Sequence, residues 1–85
     1  MTYEDIHIRD SMIRLGQLLK RAGFVDDGVE AKDALNQEMV TVNGETCSQR
    51  GRQIRHNDIV GFHAPHQSTP TLIRVVSAHE IADRG

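Results

Sequence analysis

Val40-Thr41-Val42-Asn43-Gly44-Glu45 is followed, after three residues, by Gln49-Arg50-Gly51-Arg52-Gln53-Ile54-Arg55. Val40 and Val42 alternate with Thr41, which puts two β-branched apolar side chains on one face of a strand. Asn-Gly best tolerates the two positive-φ positions of a type I′ turn, so the chain is expected to reverse at Asn43-Gly44. The returning limb would then carry Arg50, Arg52 and Arg55. Guanidinium forks suit anionic oxygens, and Gly51 would let backbone approach an anion closely. The spacing predicts one anion-binding surface, built from this limb and two preceding helices.

The first helix is read from Leu15, Leu18, Leu19 and Ala22, at the i, i+3, i+4, i+7 spacing of a single buried stripe. Gly23 stops it. Its other face carries Gln17, Lys20 and Arg21, with Arg14 at its start. A second helix opens at Asp27-Gly28-Val29-Glu30, where Asp27 would cap a backbone N–H and Glu30 would reach back. Ala31, Ala34 and Leu35 form its stripe, and Lys32 lies about 100° from the stripe's centre, on the border of an interhelical groove. Ile6 to Ile8 reads as a short edge strand, Ile59 to Phe62 as a buried strand after a tight turn at His56-Asn57-Asp58, and Leu72 to Val76 as a last strand. His63 to Thr71 reads as a loop, and Ser77 to Gly85 as a frayed tail. The layout is α+β.

With 85 residues, 38% of them hydrophobic, the chain suits a single small domain. The formal net charge is -2, so no global polycation steers it to nucleic acid. Eight of the ten basic residues, however, fall between Arg9 and Arg55: Arg9, Arg14, Lys20, Arg21, Lys32, Arg50, Arg52 and Arg55. Seven acids share that segment (Asp10, Asp26, Asp27, Glu30, Asp33, Glu38 and Glu45), so a basic face requires the fold to separate the signs. The single cysteine, Cys47, excludes an internal disulfide and fits a reducing cytoplasm. Charges interrupt the N-terminus, so neither a signal peptide nor a membrane span is expected.

Catalysis has little support in the sequence. There is no nucleophile elbow, phosphate-cradling loop or paired-carboxylate motif, and Cys47 has no base beside it. The reading is a non-enzyme without cofactors. His63 and His66, three apart in a proline-containing loop with Cys47, His56 and His79 elsewhere, do not define a tetrahedral metal site.

The segments Ile13-Arg14-Leu15-Gly16-Gln17-Leu18-Leu19-Lys20, Asp26 to Lys32, Val40 to Glu45, Arg50-Gly51-Arg52 and Asp58-Ile59-Val60, in this order, resemble the S4 RNA-binding domain, in particular the small stand-alone S4 proteins of bacteria. The resemblance spans Ile13 to Val60. It implies two packed helices followed by a β-hairpin and a small, mostly antiparallel sheet, in one domain over residues 1–85. It also implies structured RNA, ribosomal or tRNA-like, as the partner, association with a ribosomal subunit, no membrane, and a monomer. The RNA-facing positions of the family fall on Arg14, Gln17, Lys20, Arg21, Lys32, Asn43, Arg50, Arg52 and Arg55. Three positions depart from the pattern. Glu38 stands where a glycine usually ends the second helix, Val29 where ribosomal members are often polar or basic, and Asn57 in place of a turn glycine. With only Tyr3, Phe24 and Phe62 aromatic, no platform for stacking bases is available, and recognition should rest on phosphates and RNA shape. The competing reading is a protein-interaction adaptor that keeps the fold with little RNA affinity.

Overall fold

The computed structural model describes residues 3–78. Its elements run β1 (Tyr3–Ile8), β2 (Met12–Arg14), α1 (Leu15–Arg21), α2 (Gly28–Asn36), β3 (Val40–Val42), β4 (Glu45–Thr46), β5 (Gln53–Arg55), β6 (Ile59–Phe62) and β7 (Thr71–Ser77). Five strands form one sheet in the order β1-β7-β6-β3-β4, and β2 pairs with β5 in a separate two-stranded ribbon. The expected plan of two packed helices leading into a hairpin and a mostly antiparallel sheet is therefore corrected. Sheet dominates, two short helices are inserted between β2 and β3, and the main sheet is mixed because β1 runs parallel to β7. The parallel register, Tyr3↔Leu72 to Ile8↔Ser77, joins residues almost a whole chain apart, which local periodicity cannot reveal.

The hairpin forms as expected. Val42 pairs with Glu45, and Asn43 and Gly44 hold φ of 51° and 89°, both positive as a type I′ turn requires. Its returning limb ends at Thr46, however. Cys47 donates its N–H to Val40, is buried, and turns the chain out of the sheet. Arg50 and Arg52 thus lie on a loop rather than on a hairpin arm, and Arg55 lies in the ribbon.

Leu15, Leu18 and Leu19 of α1 and Ala31, Ala34 and Leu35 of α2 join Val40, Val42, Ile54, Val60, Ile73 and Val75 in one core. Phe24 stacks on Phe62 with ring centroids 4.7 Å apart, beside this core. Ser77, expected in the tail, is instead the fully buried end of β7. Its N–H donates to His56 Nδ1 and its hydroxyl to the Asp10 carbonyl. The remainder of the expected tail, residues 79–85, lies outside the described residues.

Both helices end in the same six-residue bonding pattern. After α1, Gly23 N–H donates to Lys20 O and Phe24 N–H to Leu19 O. After α2, Glu38 N–H donates to Leu35 O and Met39 N–H to Ala34 O. This is the Schellman arrangement, which needs a left-handed residue at its centre. Gly23 adopts φ 81° without steric cost, whereas Glu38 is held at φ 60°. A side chain there costs about 1–2 kcal/mol. Glu38→Gly should recover about 1 kcal/mol of this, net of the extra freedom glycine has when unfolded, and raise the melting temperature by roughly 4–8 °C. A thermal melt that does not move upward would contradict this account of the cap.

Candidate nucleic-acid interface

The arginine loop is fixed by its backbone. The Arg50 carbonyl accepts from Gly16 N–H at 3.0 Å, the Arg52 carbonyl from Leu15 N–H at 2.9 Å, and the Gly51 carbonyl from Arg14 Nη1 at 2.9 Å. Three successive carbonyls are thereby joined to the start of α1, whose Arg14 N-cap offers no side-chain cap. Two of the free N–H groups of that helix end, those of Leu15 and Gly16, are taken by the loop, so anion recognition here rests mainly on side chains.

Gly16 makes the junction possible. A Cβ on Gly16 would sit 2.5 Å from Arg50 Cγ and 3.2 Å from its Cδ. The aliphatic stem of Arg50 therefore crosses the first turn of α1 at a distance only glycine permits. Gly51 has open space around it and a glycine is not required there for protein packing, so the close approach within the protein is at Gly16.

The result is a groove of about 390 Å³ lined by Arg14, Gly16, Gln17, Lys20, Gly28, Ala31, Arg50 and Gly51. It holds three cations and no carboxylate. A second groove, about 430 Å³, adjoins it on the other side of Gln17, lined by Ile8, Arg9, Asp10, Met12, Ile13, Gln17 and Arg21. Arg21 is held at this groove by donating from Nη2 to the His7 carbonyl at 2.7 Å. In the ribbon, Ile13 pairs with the fully buried Ile54, whereas Arg14 pairs with Gln53 and Met12 with Arg55. Strand alternation puts Arg14 and Arg55 on the same outward face. Arg55 donates to Gln53 Oε1 at 2.7 Å.

The signs are separated at the first groove, where no carboxylate lines the wall, and several acids are engaged elsewhere. Asp27 accepts from Glu30 N–H, while Glu30 accepts from Asp26 N–H rather than from Asp27 as a strict capping box would have it. Asp58 accepts from Arg55 N–H and from Asn43 Nδ2. Asp5 forms a two-pronged pair with Arg74, at 3.1 and 3.0 Å, and its hydrogen bond and charge push the Arg74 guanidinium pKa further up. Arg74–Asp5 is the one salt bridge among the described residues. Arg9, Arg14, Lys20, Arg21 and Arg50 have no carboxylate partner among those residues, although Arg14 and Arg21 each donate to a backbone carbonyl.

Not every expected residue joins the face. Arg14, Gln17, Lys20 and Arg50 meet in the first groove and Arg21 in the second. Arg52 is exposed on the loop between Arg50 and the ribbon. Lys32 is exposed on α2, one turn after Gly28, and lines neither groove. Val29, three residues before Lys32, is 70% exposed, an apolar side chain at a solvent-facing position. Asn43 sits at the hairpin turn with both ends of its amide bonded within the protein. Oδ1 accepts from Ile59 N–H and Nδ2 donates to Asp58. Arg9 was missed. It follows a strand whose partner is β7, so nothing local places it beside Arg21. His63 Nε2 lies 3.5 Å from Thr41 Oγ1, and His79 lies outside the described residues. No described helix is long and apolar enough to cross a membrane.

Residues 6–69 match the S4 domain family. The chain is also similar to a probable ribosome maturation protein, RlbA, of Bacillus subtilis, with 42% identity over 55 residues that cover 65% of this chain and 78% of that one. The family match includes β2, both helices and the arginine loop, which line the first groove, as well as the hairpin and β6. The chain belongs to the S4 domain family.

Proposed function

We propose that this protein binds structured ribosomal or ribosome-associated RNA in the cytoplasm, and acts as a binder rather than a catalyst. The observation that carries the reading is the groove of Arg14, Lys20 and Arg50, a set of cations without a carboxylate in a chain whose net charge is negative. Phosphodiester oxygens satisfy guanidinium and ammonium donors at close range, and phosphate contacts fix orientation without reading sequence. The likeness to a ribosome maturation protein supports ribosomal RNA as the class.

The test is co-sedimentation of the full chain with ribosomal subunits, followed by gel shift on structured rRNA fragments at increasing salt. If the face neutralises ~3–5 phosphates, log affinity should fall against log salt with a slope of roughly -2 to -4. An affinity that barely changes between low and moderate salt would reject phosphate recognition, and absence from the subunit fractions would reject the ribosomal assignment.

A further inference from the structure

The second groove has a chemistry that charge alone does not explain. Beside Arg9 and Arg21 it places the Asp10 carboxylate, the Gln17 amide and an apolar wall from Ile8, Met12 and Ile13. A carboxylate next to two arginines weakens a site for bare phosphate. Yet Asp10 forms no salt bridge with either arginine among the described residues. An ionised carboxylate can only accept hydrogen bonds, so its complement is a donor such as a base amine, a ring N–H or a ribose hydroxyl. Met12 is half-buried on the outward face of the ribbon and leaves an apolar surface for a flat ring, and the groove falls within the roughly 300–1,000 Å³ of small-molecule sites.

An anionic group, a donor-bearing edge and an apolar plane on one small unit describe a nucleotide. We infer that this groove holds a single unpaired nucleotide, its phosphate on Arg9 and Arg21, its ring against Met12, and its donors on Asp10. Gln17 lines both grooves, so the adjoining backbone continues into the first groove across α1. The inference rests on the RNA-binding reading and adds a base contact to a face that otherwise touches phosphate.

The experiment is a proton–nitrogen NMR titration of the full chain with each of the four nucleoside 5′-monophosphates and, separately, with inorganic phosphate. Phosphate should move the amide signals of Gly16 and Gly51 only. At least one nucleotide should also move those of Arg9 to Ile13. Met12→Asp, and Asp10→Ala as the milder surface change, should each weaken the second response by roughly 5–10-fold, the loss of about one hydrogen bond or apolar contact, and spare the first. Identical responses to phosphate and nucleotides, or a second response unchanged in both variants, would overturn the inference while leaving the first groove intact. Silence at Gly16 and Gly51 with every probe, together with failure to sediment with ribosomal subunits, would remove the RNA-binding reading and this inference with it.

Discussion

Lys20→Glu combined with Arg50→Glu should lower affinity for a structured rRNA fragment by on the order of 100-fold or more. Each hydrogen bond to a charged group contributes about 1.5–3 kcal/mol, and two are removed while two repulsive charges are added. The salt slope should become shallower by about two. Neither side chain makes a hydrogen bond or ion pair with another described residue and both are exposed, so the melting temperature should fall by only roughly 4–8 °C, from the reversed charge in the last turn of α1 and the altered Arg50 stem over Gly16. The Arg50 carbonyl that receives Gly16 N–H is untouched by the substitution. Arg74→Gln supplies the control. It removes one positive charge from the chain, but that charge is already paired with Asp5 across β1 and β7. Affinity should change by less than about twofold, and losing this one exposed, solvent-screened pair should leave the melting temperature nearly unchanged. Comparable losses from the double reversal and from Arg74→Gln, measured by gel shift, would replace the defined face with diffuse attraction.

Sequence reading succeeded where the deciding interactions are local. Asn43-Gly44 announced its turn because two adjacent residues must both take positive φ, and they do. Leu15, Leu18 and Leu19 announced α1 and Asp27 capped α2, whereas for Glu38 the resemblance marks only a missing glycine, and the left-handed φ of 60° comes from the structure. Reading failed where a strand is three residues long and its partner distant. Met12–Arg14 carries barely one alternation and reads as the approach to a helix, but pairs with Gln53–Arg55 some forty residues later. The arginine run was assigned to a hairpin arm because the turn before it was so clear. Gln49-Arg50-Gly51-Arg52 has no alternating apolar residue to hold it in the sheet, and Cys47, buried after the turn, is where the chain departs. The candidate face inherits both outcomes. Lys20 and Gln17 could be placed from helix phase, but Arg14 belongs to β2, and the approach of Arg50 over Gly16 depends on a loop crossing that no local pattern encodes.

Asn43→Ala should cost about 2–3 kcal/mol and lower the melting temperature by roughly 10–20 °C, while affinity for RNA, measured well below that temperature, changes by less than about threefold. The cost has two sources. Alanine at φ 51° lacks the tolerance of asparagine for the left-handed region, and two hydrogen bonds disappear, leaving Ile59 N–H and Asp58 Oδ1 without the amide. Asn43→Gly should recover the backbone part only. Asn43→Asp should be worse than its similarity suggests. It keeps an acceptor for Ile59 N–H but sets a second carboxylate where Nδ2 now donates to Asp58 at 3.2 Å. The distinction matters because Asp58 also accepts from Arg55 N–H at 2.8 Å. Asn43 is thereby expected to reach the interface through the fold, bracing the end of the ribbon that carries Arg55. A loss of affinity of about tenfold in Asn43→Gly, with little change in melting temperature, would reverse that assignment and return the amide to the RNA.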